Sequence, residues 1–106
     1  MLNVHLQEDQ GIHAYVEAIE PLIKDLAENH IYLAIENTPL AGPDAMNALF
    51  GEILRLDDKD TAYVGMCFDM GHANLYPATR NDYLGYMTRL EPDVPNFGAL
   101  CLDSGP

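Results

Sequence analysis

Three short apolar runs, each followed or preceded by a segment with helical periodicity, constrain this chain more than any other feature. They are "LNVHL" at 2–6, "IYLAIE" at 31–36 and "AYVGMCFD" at 62–69. Each is the length of a strand and, in the last two, apolar enough to be covered on both faces. Strands that alternate with amphipathic helices imply parallel pairing through right-handed crossovers. The expected class is α/β, built from parallel β-α repeats.

The intervening segments support this order. Residues 11–29 read as a helix, with Ile12, Val16, Ile19, Ile23 and Leu26 forming one apolar stripe. Pro21 lies inside that pattern and should kink or break it. Asn29-His30 is a plausible stop. "NTPLAGP" is a loop, and Asp44 is the candidate cap of a second helix reaching about residue 56. Its buried side would hold Met46, Leu49, Phe50, Ile53 and Leu54. "DDKD" at 57–60 reads as a solvated connection, and "MGHANLYPAT" as a long loop. Asn81 or Asp82 would cap a third helix to about Leu90, with Tyr83, Leu84, Met87 and Leu90 buried. "FGALCLD" is a weak candidate for a fourth strand. At 106 residues the chain is one small domain, 1–106.

Side chains on a strand alternate between faces. Val64, Met66 and Phe68 share one face of the third strand; Gly65, Cys67 and Asp69 share the other. In the second strand Leu33 and Ile35 are the large set, and Ala34 and Glu36 the other. In the first, Leu2, Val4 and Leu6 oppose Asn3 and His5. Each strand therefore presents a polar residue at its C-terminal end, on the face that carries small residues. Parallel α/β folds place their sites at that end. His5, Glu36 and Asp69 should converge, with His72 leaning over from the loop. Carboxylates and imidazoles on one centre suit a divalent metal: Mn²⁺, Zn²⁺, Co²⁺ or Mg²⁺. Taken singly, an acid at a strand end is commonly a helix cap, and a lone histidine is commonly a satisfied core or surface residue. His13 and His30 read as exposed, and Tyr83 and Tyr86 as packing.

Charge narrows the partners. Five basic residues face seventeen acidic ones, a formal charge of −12. The basic residues are scattered, whereas a nucleic-acid binder shows a basic face. No apolar run reaches the ~18 residues of a membrane span, and there is no signal peptide. Cys67 and Cys101 show no paired spacing. A reduced, cytoplasmic chain is the simplest reading.

"LAIENTP" followed by "VGMCFDMGHAN" resembles the xylose-isomerase-like TIM-barrel superfamily, which holds sugar-phosphate isomerases and epimerases and endonuclease IV-type repair enzymes. There one barrel strand ends in Glu-Asn-Thr and the next in Asp-x-x-His. The resemblance covers about residues 1–90. It implies that Glu36 ligates metal and serves as an acid/base, and that Asp69 is a second ligand. It implies that His72 binds substrate, or an additional metal in the endonuclease branch. His5 matches a histidine of the preceding strand. Asn37 would orient the loop or touch substrate. Gly71, where the endonuclease type has Cys, and the acidic charge point to the sugar branch. The implied partner is a sugar or sugar phosphate, and the implied chemistry is proton transfer beside a carbonyl through an enediolate.

A whole barrel of this kind has eight strands and ~250 residues. This chain supplies about three to four β-α units. No histidine follows His72, and Glu91 closes a helix rather than a strand. The expectation is therefore a barrel piece, incomplete as a catalyst, whose open strand edges invite self-association. Two alternatives stand beside it: a non-catalytic α/β module that keeps the fold segment, and an endonuclease IV-like relative.

Overall fold

The computed structural model describes residues 1–97. The elements run β1 (Leu2–His5), α1 (Ile12–Glu28), β2 (Leu33–Glu36), α2 (Pro43–Ile53), α3 (Asp58–Thr61), β3 (Val64–Cys67), α4 (Met70–Leu75), a 3-10 turn (Pro77–Thr79) and α5 (Tyr83–Thr88). The three strands form one parallel sheet in the order β1-β2-β3. His5 lies opposite Glu36, and Glu36 opposite Cys67. This register brings the three strand ends level.

The faces divide as the alternation predicts. Leu33, Ile35, Val64, Met66 and Phe68 pack with Val16, Ile23, Met46, Leu49, Phe50 and Ile53 from the helices into the main core. On the opposite face Ala34 and Cys67 form a separate small cluster beneath Phe97. Gly65 belongs to that face because a Cβ there would overlap the Phe97 ring. Small residues let the aromatic ring lie directly against the sheet.

Beyond β3 the chain begins to add backbone pairing. Met66 N–H donates to the Pro95 carbonyl at 2.6 Å, and Phe97 N–H donates to the Met66 carbonyl at 2.8 Å. Asn96 bridges Met66 in parallel. This is an isolated bridge just before the expected fourth strand; all of "FGALCLD" after Phe97 lies outside the described residues. Among the described residues β1 pairs with β2 alone, and Leu2 is 40% exposed.

Several local expectations are corrected. α1 runs unbroken through Pro21. Pro21 and Glu17 are both exposed, so the carbonyl that loses its N–H partner stands on the wet side of the helix. α2 is capped by Gly42, not Asp44: Pro43 takes the first helical position, where its fixed φ is already helical. Gly42 itself lies against the Tyr76 ring, leaving no room for a side chain. "DDKD" is not merely solvated. Asp57 accepts a hydrogen bond from Lys59 N–H at 3.2 Å and caps the single turn α3, and Asp60 is buried. The start of "MGHANLYPAT" is the helix α4 rather than loop. Asp82 caps α5, as one of the two candidates. The buried residue of α5 is Tyr86, whose hydroxyl donates to the Ala41 carbonyl at 2.6 Å; Leu84 and Met87 are exposed. Cys67 is disulfide-bonded rather than a reduced thiol. Among the described residues no helix is long and apolar enough to cross a membrane.

Candidate metal centre

Glu36 closes β2, and its side chain is only 12% exposed. Asp69 stands two residues past the end of β3, on the same face as Glu36, and is the N-cap of α4. Its Oδ1 accepts the His72 N–H at 2.9 Å. That bond fixes the first turn of α4 and places the His72 ring beside the two carboxylates. Capping uses one oxygen of Asp69 and leaves Oδ2 directed to the centre. The ordinary reading of this acid, as a cap, and the metal reading therefore hold together.

Asn37 joins the two strand ends. It is fully buried. Its Nδ2 donates to the Asp69 carbonyl at 3.1 Å, and its Oδ1 accepts from Asp69 N–H at 2.7 Å. Its own carbonyl oxygen lies 2.8 Å from His72 Nδ1. Of the two roles open to Asn37, the geometry is that of orientation: both ends of its amide are used on the Asp69 backbone.

The three side chains Glu36, Asp69 and His72 each offer a ligand atom within 4.8 Å of the others. His72 Nδ1 is 3.4 Å from Glu36 Oε2 and 3.5 Å from Asp69 Oδ2. Ligands on a common ion with bonds of ~2.0–2.2 Å stand about 3–4 Å apart. Two carboxylate oxygens and an imidazole nitrogen are also the donor types that Zn²⁺, Mn²⁺ and Co²⁺ accept. The residues thus fit a divalent cation. Ligation through Nδ1 requires the tautomer protonated on Nε2 and the release of Asn37 O; otherwise Nδ1–H stays on that carbonyl and Nε2 is the free acceptor.

His5 is placed beside the trio rather than in it. Its Nε2 is 2.9 Å from Glu36 Oε2, its ring centre is 6.2 Å from that of His72, and its side chain is 58% exposed. Asn3 is a contributor that the strand parity displayed but the sequence reading did not use. Its Nδ2 donates to Glu36 Oε1 at 3.2 Å. The signal was present: Asn3 shares its face with His5, one strand from Glu36. The Cys67 sulfur lies 3.7 Å from the same oxygen and, being in a disulfide, brings it no proton.

An open cavity of about 570 Å³ adjoins the group, between the β1–α1 and β2–α2 loops, with His5 and His72 in its wall. His13 lies elsewhere. It is exposed and sits between Glu17 and Glu52. The His30 ring packs 5.8 Å from Tyr63, centre to centre. Compared with family models, with curated proteins and with solved structures, the chain matches none.

Proposed function

We propose that this chain is part of a divalent-metal-dependent sugar isomerase or epimerase of the xylose-isomerase-like TIM-barrel class. The observation that carries the reading is the convergence of Glu36, Asp69 and His72 within 4.8 Å at the C-terminal ends of parallel strands. The parallel sheet, its small-residue face and the pairing begun at Asn96 are consistent with a segment of a (β/α)8 barrel. The open edge of β1 is where a preceding strand of such a barrel would pair.

Glu36 and Asp69 would hold the cation with His72 as a third donor, or with His72 left to contact substrate. A divalent cation there supplies polarisation of the substrate's carbonyl and hydroxyl oxygens, which acidifies the neighbouring C–H. Glu36 is the group best placed to move that proton. Asn3 steadies one of its oxygens at 3.2 Å, and His5 Nε2 stands 2.9 Å from the other as a route for the proton to solvent. The site has carboxylates on its inner side and a cavity on its outer side, the arrangement that a proton shuttle between sugar carbons needs.

The test is Mn²⁺ titration calorimetry on the chain and on the Glu36→Ala, Asp69→Ala double variant. Binding by the chain that is lost in the variant supports the reading, and isomerisation assays with free and phosphorylated ketoses follow. A second reading has its own observation: Asp69 caps a helix, Glu36 accepts from Asn3, and the His72 ring is held against the Asn37 carbonyl, so every member has a structural role. Equal, weak Mn²⁺ binding by both proteins would favour that non-catalytic module.

A further inference from the structure

We propose that the cavity beside Glu36, Asp69 and His72 takes an uncharged sugar and discriminates against its phosphate ester. The inference rests on the reading of that group as a sugar-handling centre. It comes from the wall rather than from the metal ligands.

The wall has two unlike sides. The β1–α1 loop contributes Glu8 and Asp9, both exposed and acidic; the β2–α2 loop contributes Thr38, Pro39 and Leu40. Leu40 is 86% exposed, the most exposed large apolar side chain in the described structure. A sugar presents hydroxyl donors on its rim and a C–H face on its ring. Carboxylate acceptors on one side and an apolar ledge on the other match those two surfaces.

A phosphate ester meets the wrong charge. None of the chain's five basic residues, Lys24, Arg55, Lys59, Arg80 and Arg89, lines the cavity. Lys24 pairs with Glu20 and Lys59 lies by Asp57, both away from it. The start of α1 would by itself favour an anion, but Glu8 and Asp9 lie in the loop just ahead of its Gly11 cap and oppose that field. A dianion in the cavity would face Glu8 and Asp9 in its wall. Like charges lining one cavity cost affinity that neutral hydroxyls do not lose.

The experiment compares D-fructose with D-fructose 6-phosphate on the ¹⁵N-labelled chain, in EDTA and at low ionic strength. Without metal, the phosphate cannot gain by coordination, so the comparison reads the wall. Amide shifts at Thr38, Leu40 and His72 report binding. The expected result is that D-fructose binds at least ~10-fold more tightly than its ester, a gap that narrows as salt is added. The Glu8→Gln, Asp9→Asn double variant, altered only at exposed positions, should shrink the gap mainly by strengthening the ester. Equal or tighter binding of the ester to the unaltered chain overturns the proposal. So does the absence of shifts with either sugar, or a gap that the double variant leaves intact. The metal reading fails separately: Mn²⁺ binding indifferent to Glu36 and Asp69 would sink the centre, while a preference for the free sugar would still be read from the wall.

Discussion

Ile35 and Glu36 are neighbours on one strand and answer to different demands. Ile35 points to the helices, where it is fully buried among Leu33, Met66 and the apolar faces of α1 and α2. Glu36 points to the other face, among Asn3, His5 and Cys67, with a cavity beyond. One face is apolar and close-packed; the other is small, polar and only partly covered. Stability should reside on the first and ligand binding on the second, and single substitutions one residue apart can test that division.

The largest effect is expected from Ile35→Ala. Removing a fully buried isoleucine from a packed core costs about 3 kcal/mol, read as a lower urea midpoint at unchanged slope. Glu36→Gln should cost less than about 1 kcal/mol, because the amide keeps an oxygen for Asn3 and its shape. Its Mn²⁺ affinity should be lost all the same. If Glu36→Gln unfolds the chain as readily as Ile35→Ala, the polar face is structural and the division fails.

Asn37 joins the two faces' problems and gives the next effect. Its amide satisfies both backbone groups of Asp69. Asn37→Ala leaves an N–H and a carbonyl without their partners, at a cost of about 2 kcal/mol. The loss should be local as well as global. Hydrogen exchange at the Asp69 and His72 amides should quicken more than at Ile35. Mn²⁺ binding should weaken, since Asp69 and His72 ride on the segment that Asn37 holds. Uniform quickening across the sheet would mean that Asn37 is simply a core residue.

Much of this was legible from alternation alone. Parity along β2 and β3 separated Ile35 and Met66 from Glu36 and Asp69, because a strand has only two faces. The parallel order followed from the helical stripes between the strands. What was not legible depends on contacts distant in sequence or on very short elements. α4 has six residues, including Gly71 and Asn74, and gives no apolar period to detect. In α5 the apolar Leu84 and Met87 looked like the inner side, but Tyr86 took it, because its hydroxyl finds the Ala41 carbonyl forty-five residues away in the chain. Asp60 is buried although nothing in "DDKD" announces it. Asn37 was visible as part of a motif with two candidate roles, but the sequence did not choose between them, since its hydrogen-bond partners lie past the end of another strand.

The smallest effect comes from a second histidine held between two carboxylates, and it sharpens the contrast with His72. His13 Nε2 is 2.6 Å from Glu17 on its own helix, and Nδ1 is 2.7 Å from Glu52 on α2. A neutral ring has one N–H, so only the imidazolium donates to both. The hydrogen bond to Glu52, with the charges of Glu17 and Glu52, raises the His13 pKa above its ordinary 6.5. A raised folded-state pKa contributes stability that is complete below 6.5 and is lost as pH rises through the raised value. His13→Gln should therefore lower Tm slightly at acidic pH, where the carboxylates are still ionised, and not at alkaline pH. The ring is 76% exposed, so salt should erase the difference as well. A Tm gap that persists at high pH and high salt would mean that the ring acts by packing. His72 differs in how it is held: the Asp69 carboxylate accepts its backbone N–H, and its ring Nδ1 lies against the Asn37 carbonyl.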